Sequence, residues 1–110
     1  MTPREMQKQQ ITRVAGELSP AIREQARGRW SRVQTAERNQ GGQHVWRFRA
    51  GPGERERFLH IEHRAMVSKG DAAASLLQQL QSGEWLDRLQ GAETALLLSA
   101  NGKLTALPAR

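Results

Sequence analysis

Apolar and polar positions alternate most cleanly between His44 and His63, where HVWRFRA and RERFLHIEH flank Gly51-Pro52-Gly53-Glu54. Period-two alternation on both sides of a Pro-Gly pair predicts a β-hairpin. Burial selects its register. For Trp46 and Phe48 to share a face with Leu59 and Ile61, opposed residues must have numbers totalling an odd value such as 105. A slip of one residue reverses every side chain, so any even total turns half of that apolar set into water. Pro52 and Gly53 then occupy the two central positions of a type II turn. The opposite face carries Val45, Arg47, Arg49, Glu56, Phe58, His60 and Glu62.

Elsewhere the apolar spacing is helical. Thr2-Pro3-Arg4-Glu5 combines a Thr cap, proline at the first helical position and glutamate three residues after the cap. Ile11, Val14, Ala15 and Leu18 follow at steps of three and four. Ser19-Pro20 repeats the cap-and-proline punctuation, which predicts a second helix with Ile22, Ala26, Trp30 and Val33 as its buried stripe. Arg23, Arg27, Arg32 and Arg38 lie mostly off that stripe. Asn39-Gln40-Gly41-Gly42-Gln43 reads as the loop into the hairpin. Beyond it, Asp71 caps a helix whose stripe is Ala73, Leu76, Leu77 and Leu80; Ser82-Gly83 interrupts it, and Trp85, Leu86 and Leu89 continue at a new angle. Asn101-Gly102 between apolar runs signals a second hairpin.

The order helix, helix, two strands, helix with a short second piece, two strands predicts an α+β fold. Its economical packing is an antiparallel four-stranded sheet made of two β-hairpins, with helices on one face. A single domain over 1–110 is expected, with a helical amino-terminal part at 1–38, the central hairpin at 44–67, a helix at 71–90 and a carboxy-terminal hairpin at 95–107. In the last hairpin Leu96, Leu97 and Leu98 run together, with Leu104 and Leu107 opposite. Both of its faces therefore call for cover, from helices on one side and from a second copy of the chain on the other. Leu97 and Leu104 are the expected interface residues of such a homodimer.

Charge and composition narrow the partners. The net charge is +6, and all of the excess lies in residues 1–64, with thirteen Lys/Arg against seven Asp/Glu. A basic half suits an anionic partner. The alternative is compositional: fourteen Arg against three Lys fits Arg-favouring codons, with the charges solvating helix faces. With no cysteine there is neither a disulfide nor a thiolate metal site. No apolar run approaches a membrane span and MTPREMQKQQ lacks the apolar core of a secretory signal, so a cytoplasmic location is expected.

The candidate anion-binding surface is Arg47, Arg49 and His60 on one hairpin face, joined by Arg23 and Arg27 of the second helix. Phe58 is available for stacking, and nucleic acid is the first choice of partner. The competing reading is a solvated face whose Glu56 and Glu62 neutralise the arginines across the strands. His44, His60 and His63 do not form a metal site, because His60 and His63 are three apart on a strand and point to opposite faces. Ser68-Lys69-Gly70 could cradle an anion, but the Asp71 carboxylate already occupies that helix end.

Gly41-Gly42-Gln43, extended by His44-Val45, resembles the GGQ tripeptide of peptide chain release factors. In that family the glutamine orients a water at the ester of peptidyl-tRNA, so the resemblance implies peptidyl-tRNA hydrolysis with Gln43 in that role. The family continues with Asn-Lys-like polar residues, whereas here Trp46-Arg47-Phe48 runs straight into a strand. No Ser, His and acid grouping has the spacing of a catalytic site. The expectation is a non-enzymatic binding domain with no cofactor and no metal. A self-association module is the alternative, and a GGQ-type hydrolase the third.

Overall fold

The computed structural model describes residues 2–30, 33–49, 55–67, 71–91 and 93–108. A long helix α1 (Pro3–Arg29) is followed by strands β1 (Gln34–Gln40), β2 (Gln43–Arg49) and β3 (Arg57–Glu62). Short helices α2 (His63–Met66), α3 (Ala72–Leu80) and α4 (Glu84–Gln90) lead to β4 (Ala95–Leu98) and β5 (Leu104–Ala106). The fold is α+β. Its sheet has five strands in the order β1-β2-β3-β4-β5, and all neighbours are antiparallel except β3 and β4, which run parallel. The four-stranded antiparallel sheet expected from the sequence is thus corrected in strand number and in direction at its centre.

Thr2 caps α1 as its sequence suggests, its hydroxyl accepting from the Glu5 N–H at 3.2 Å. Pro20, however, does not start a new helix; it lies inside α1. Proline cannot donate to the carbonyl four residues back, and in this helix that carbonyl belongs to Gly16. Both Pro20 and Gly16 are exposed, so water can take the freed carbonyl. The buried stripe passes through the proline in phase, with Leu18, Ser19, Ile22 and Ala26 at helical steps. Residues 2–9 are all exposed, so the first turns of α1 project beyond the core that begins at Ile11.

The expected second helix ends early. Trp30 is already extended, with φ −123° and ψ 140°, and its ring packs 6.1 Å from that of Phe48. Residues 34–40, placed by the sequence partly in a helix and partly in a loop, form β1. Gly41 (φ 56°) and Gly42 (φ 77°) make the two-residue turn into β2. Two successive positive φ values match the right-handed strand twist and exclude nearly every side chain but glycine.

The register of β2 on β3 is the expected one: His44 faces Ile61, Trp46 faces Leu59 and Arg47 faces Phe58. The Gly51–Glu54 turn that would close this hairpin, like Ser68-Lys69-Gly70 and Arg32, lies outside the described residues. Trp46, Phe48, Leu59 and Ile61 are essentially inaccessible and share one core with Leu18 and Ile22 of α1, Leu80 of α3 and Trp85 of α4. Each such side chain contributes about 1.5–3 kcal/mol on burial. After Glu62 the chain passes through the helices before it returns as β4, beside β3 and pointing the same way. A parallel pair needs a crossover of this kind, since a tight turn reverses the chain. Asp71 caps α3 by accepting from the Ala74 N–H at 3.0 Å. The last hairpin closes at Asn101-Gly102, where Gly102 has φ 82° and the Asn101 side chain accepts from the Lys103 N–H. Among the described residues no helix is long and apolar enough to cross a membrane.

Because Pro20 interrupts an otherwise continuous helix on its wet side, Pro20→Ala restores one backbone bond. Urea unfolding should show the variant more stable by about 1–3 kcal/mol. A loss of stability would mean that the helix needs the break.

Candidate binding face

The helices all pack on the Trp46 side of the sheet, where their buried residues join the core. Among the described residues no element covers the other side. Strand pairing arranges its side chains in rows. Arg38, Val45, His60, Leu97 and Thr105 stand opposite one another across all five strands, and Ala36, Arg47, Phe58 and Ala95 form the adjacent row.

A cleft of about 860 Å3 opens on this side. Its apolar lining comes from Phe58, Ala95, Leu107 and Pro108; Gln43 and His60 add polar groups, and the charged lining is Arg38, Arg55 and one carboxylate, Glu56. Phe58 and His60 present rings 6.4 Å apart. The His60 Nδ1–H donates to Gln43 Oε1 at 2.8 Å. Burial holds the His60 imidazole below the usual histidine range, and the charge of Arg38 lowers it further. Arg38 and His60 are the two cross-strand neighbours of Val45, which is only 1% exposed although no helix among the described residues covers it.

The arginines of this side are not equivalent. Arg47 and Arg49 share a single carboxylate, Glu56, at 3.9 and 3.4 Å. All three border a smaller depression of about 320 Å3 that shares Glu56 with the main cleft. Exposed pairs of this kind contribute about 0–1 kcal/mol and are screened by salt, so an incoming anion can compete for either guanidinium. Arg38 and Arg55 have no carboxylate partner among the described residues.

The candidates from the sequence are thus only partly brought together. Arg47, Arg49 and His60 do share one face. Arg23 and Arg27 belong to α1, whose buried stripe packs on the opposite side of the sheet, and they do not join that surface. Leu97 lies in the open-face row, whereas Leu104 pairs with Leu98 and packs against the core, so the two do not form one patch. Arg38 and Arg55 were not singled out. Reading Gly41-Gly42 as a two-residue turn would have placed Arg38 opposite Val45, on the open face. Just after that turn, the Gln43 that resembles a release-factor glutamine is half-buried at the start of β2, its side-chain carbonyl oxygen engaged by His60.

A second polar cluster sits beneath β1 on the helix side. The Trp46 Nε1–H donates to Ser19 Oγ at 3.0 Å, and that hydroxyl is in turn shared between the Ala15 carbonyl and the Glu37 carboxylate. Asn39 Oδ1 accepts from His44 Nδ1 at 2.7 Å and from His63 Nε2 at 3.2 Å. The other His44 nitrogen, Nε2, is buried without a hydrogen-bond partner, 3.8 Å from Glu37. Burial pushes the His44 imidazole below the usual histidine range, and His63 adds to this, against the pull of the Glu37 carboxylate. Among the described residues no three His, Cys, Asp or Glu side chains group closely enough to hold a metal.

Both lowered histidines make the fold acid-sensitive. In the unfolded chain each binds a proton below about pH 6.5, while in the folded chain each resists protonation until lower pH. Their stabilisation is complete above that value and lost as pH falls through the window below it. Thermal unfolding should therefore give a lower midpoint at pH 5.5 than at 7.5, and His44→Gln should reduce the difference; equal midpoints in the unsubstituted protein would contradict it. The chain matches no protein-family model, and comparisons with curated proteins and with solved structures likewise give no match.

Proposed function

We propose that this chain is a non-enzymatic binding domain that holds a polyanion, nucleic acid first, on the open face of its sheet. The observation that carries the reading is the placement of Arg38 and Arg55, without carboxylate partners among the described residues, beside an amphipathic cleft. Arg47 and Arg49 extend the positive surface along β2, with only Glu56 between them. Guanidinium groups suit phosphate because they donate in a planar fork and stay charged at all relevant pH. The rigid sheet holds them in place, so little order has to be created on binding.

Retention on immobilised heparin and on nucleic acid, measured over a series of salt concentrations, tests the proposal. The unsubstituted protein should be retained at low salt and released steeply as salt rises. Joint replacement of Arg38 and Arg55 by Ala should lower the logarithmic salt slope by about one for each phosphate contact removed, and Arg47→Ala with Arg49→Ala should act in the same direction. Arg23→Ala with Arg27→Ala, on the helix side, should change little. A protein that is not retained, or one that loses retention equally through the Arg23 and Arg27 pair, would refute the assignment.

A further inference from the structure

The cleft offers more than positive charge. Phe58 stands between Arg47 on β2 and Ala95 on β4, half-exposed, with its ring close to the His60 imidazole. With the His60 Nδ1–H committed to Gln43, a neutral imidazole keeps Nε2 as an acceptor, and the Gln43 amide N–H groups have no partner among the described residues. The cleft lining therefore presents an aromatic surface with one acceptor and one donor beside it. The lining also includes the guanidiniums of Arg38 and Arg55. A flat heteroaromatic ring with polar edges, joined to phosphate, matches this arrangement group for group. A cleft volume of about 860 Å3 also falls within the range that admits a ligand of nucleotide size.

A duplex cannot seat a base in such a site, because its bases are stacked on one another and only their edges and the sugar-phosphate backbone reach a protein surface. An unpaired strand can, since each base is free to leave its neighbours and stack on a side chain. We infer that the open face binds single-stranded nucleic acid, with one base seated in the cleft against Phe58 and the adjoining phosphates on Arg38 and Arg55. The strand continues toward Arg47 and Arg49 through the depression that shares Glu56 with the cleft. This inference rests on the polyanion reading and adds the requirement that the bases be unpaired.

Fluorescence anisotropy with labelled oligouridylate and oligodeoxythymidylate of about ten nucleotides, against a duplex with the same number of phosphates, tests it. At one fixed salt concentration at least one single strand should bind about tenfold more tightly than the duplex. Phe58→Leu keeps an apolar side chain in place but removes the stacking surface. It should weaken strand binding about tenfold, leave duplex binding and heparin retention unchanged, and unfold at the same temperature as the parent. Equal binding of strand and duplex, or a Phe58→Leu protein that binds strands like the parent, would overturn the base site while heparin retention still upheld the polyanion reading. Loss of binding to every anion, heparin included, would overturn both.

Discussion

A pleated strand cannot turn over one side chain without turning over all of them, and the pairing of Trp46 with Leu59 uses that constraint to divide this protein into two unlike sides. Two aromatic rings and two branched aliphatic chains point together from β2 and β3, so the helices must cover that side. The same step that buries Trp46 sends Arg47 and Arg49 outward. Core and candidate binding face are therefore two consequences of a single register. The Trp46 indole ties the register to α1 through Ser19, so the strand and the helix hold each other in place.

The edge strand β1 depends on a different kind of contact. Six of its seven residues are exposed and none is a large apolar residue, so burial contributes little to its position. What anchors it on the helix side is polar: Glu37 meets the Ser19 hydroxyl, and Asn39 receives both His44 and His63. Buried polar groups hold a structure together only when their partners are present, because an unpaired one keeps its full desolvation cost. The unpartnered His44 nitrogen is the weak member of this set. Charged and amide side chains along β1 also make the sheet edge a poor template for further strands.

On the open side, charge is distributed unevenly rather than cancelled. Glu56 serves two arginines at once, while Arg38 and Arg55 have no carboxylate partner among the described residues. The face thus combines a packed surface, which holds its shape, with guanidiniums that remain available. The two lowered histidines belong to opposite sides, one supporting β1 and the other facing the cleft, so acidification acts on the support and on the face together.

Several parts of this arrangement could be read before any coordinates. The Thr2 and Asp71 caps and the Asn101-Gly102 turn rest on contacts within a few residues, and the β2–β3 register rests on large apolar side chains whose parity admits one solution. Parity also placed Arg47, Arg49 and His60 together. The continuity of α1 through Pro20 was hidden because proline signals an end, and only the phase of Leu18, Ile22 and Ala26 against the core shows that the missing bond falls on the solvent side. β1 was hidden because its pattern is polar: only the Gly41-Gly42 turn marks it as the partner of β2, while the side chains that hold it on the helix side, Ser19 and His63, are distant in the chain. The parallel pairing of β3 with β4 was open for a similar reason: the alternation of apolar residues is the same for either direction, and the helices between them set where the chain comes back. The cleft needs Arg38 from the first strand, His60 from the third and Leu107 beyond the fifth, so it exists only once those strands lie side by side. Local contacts and side-chain parity are written along the chain, whereas a surface assembled from distant strands follows from the order in which they pack.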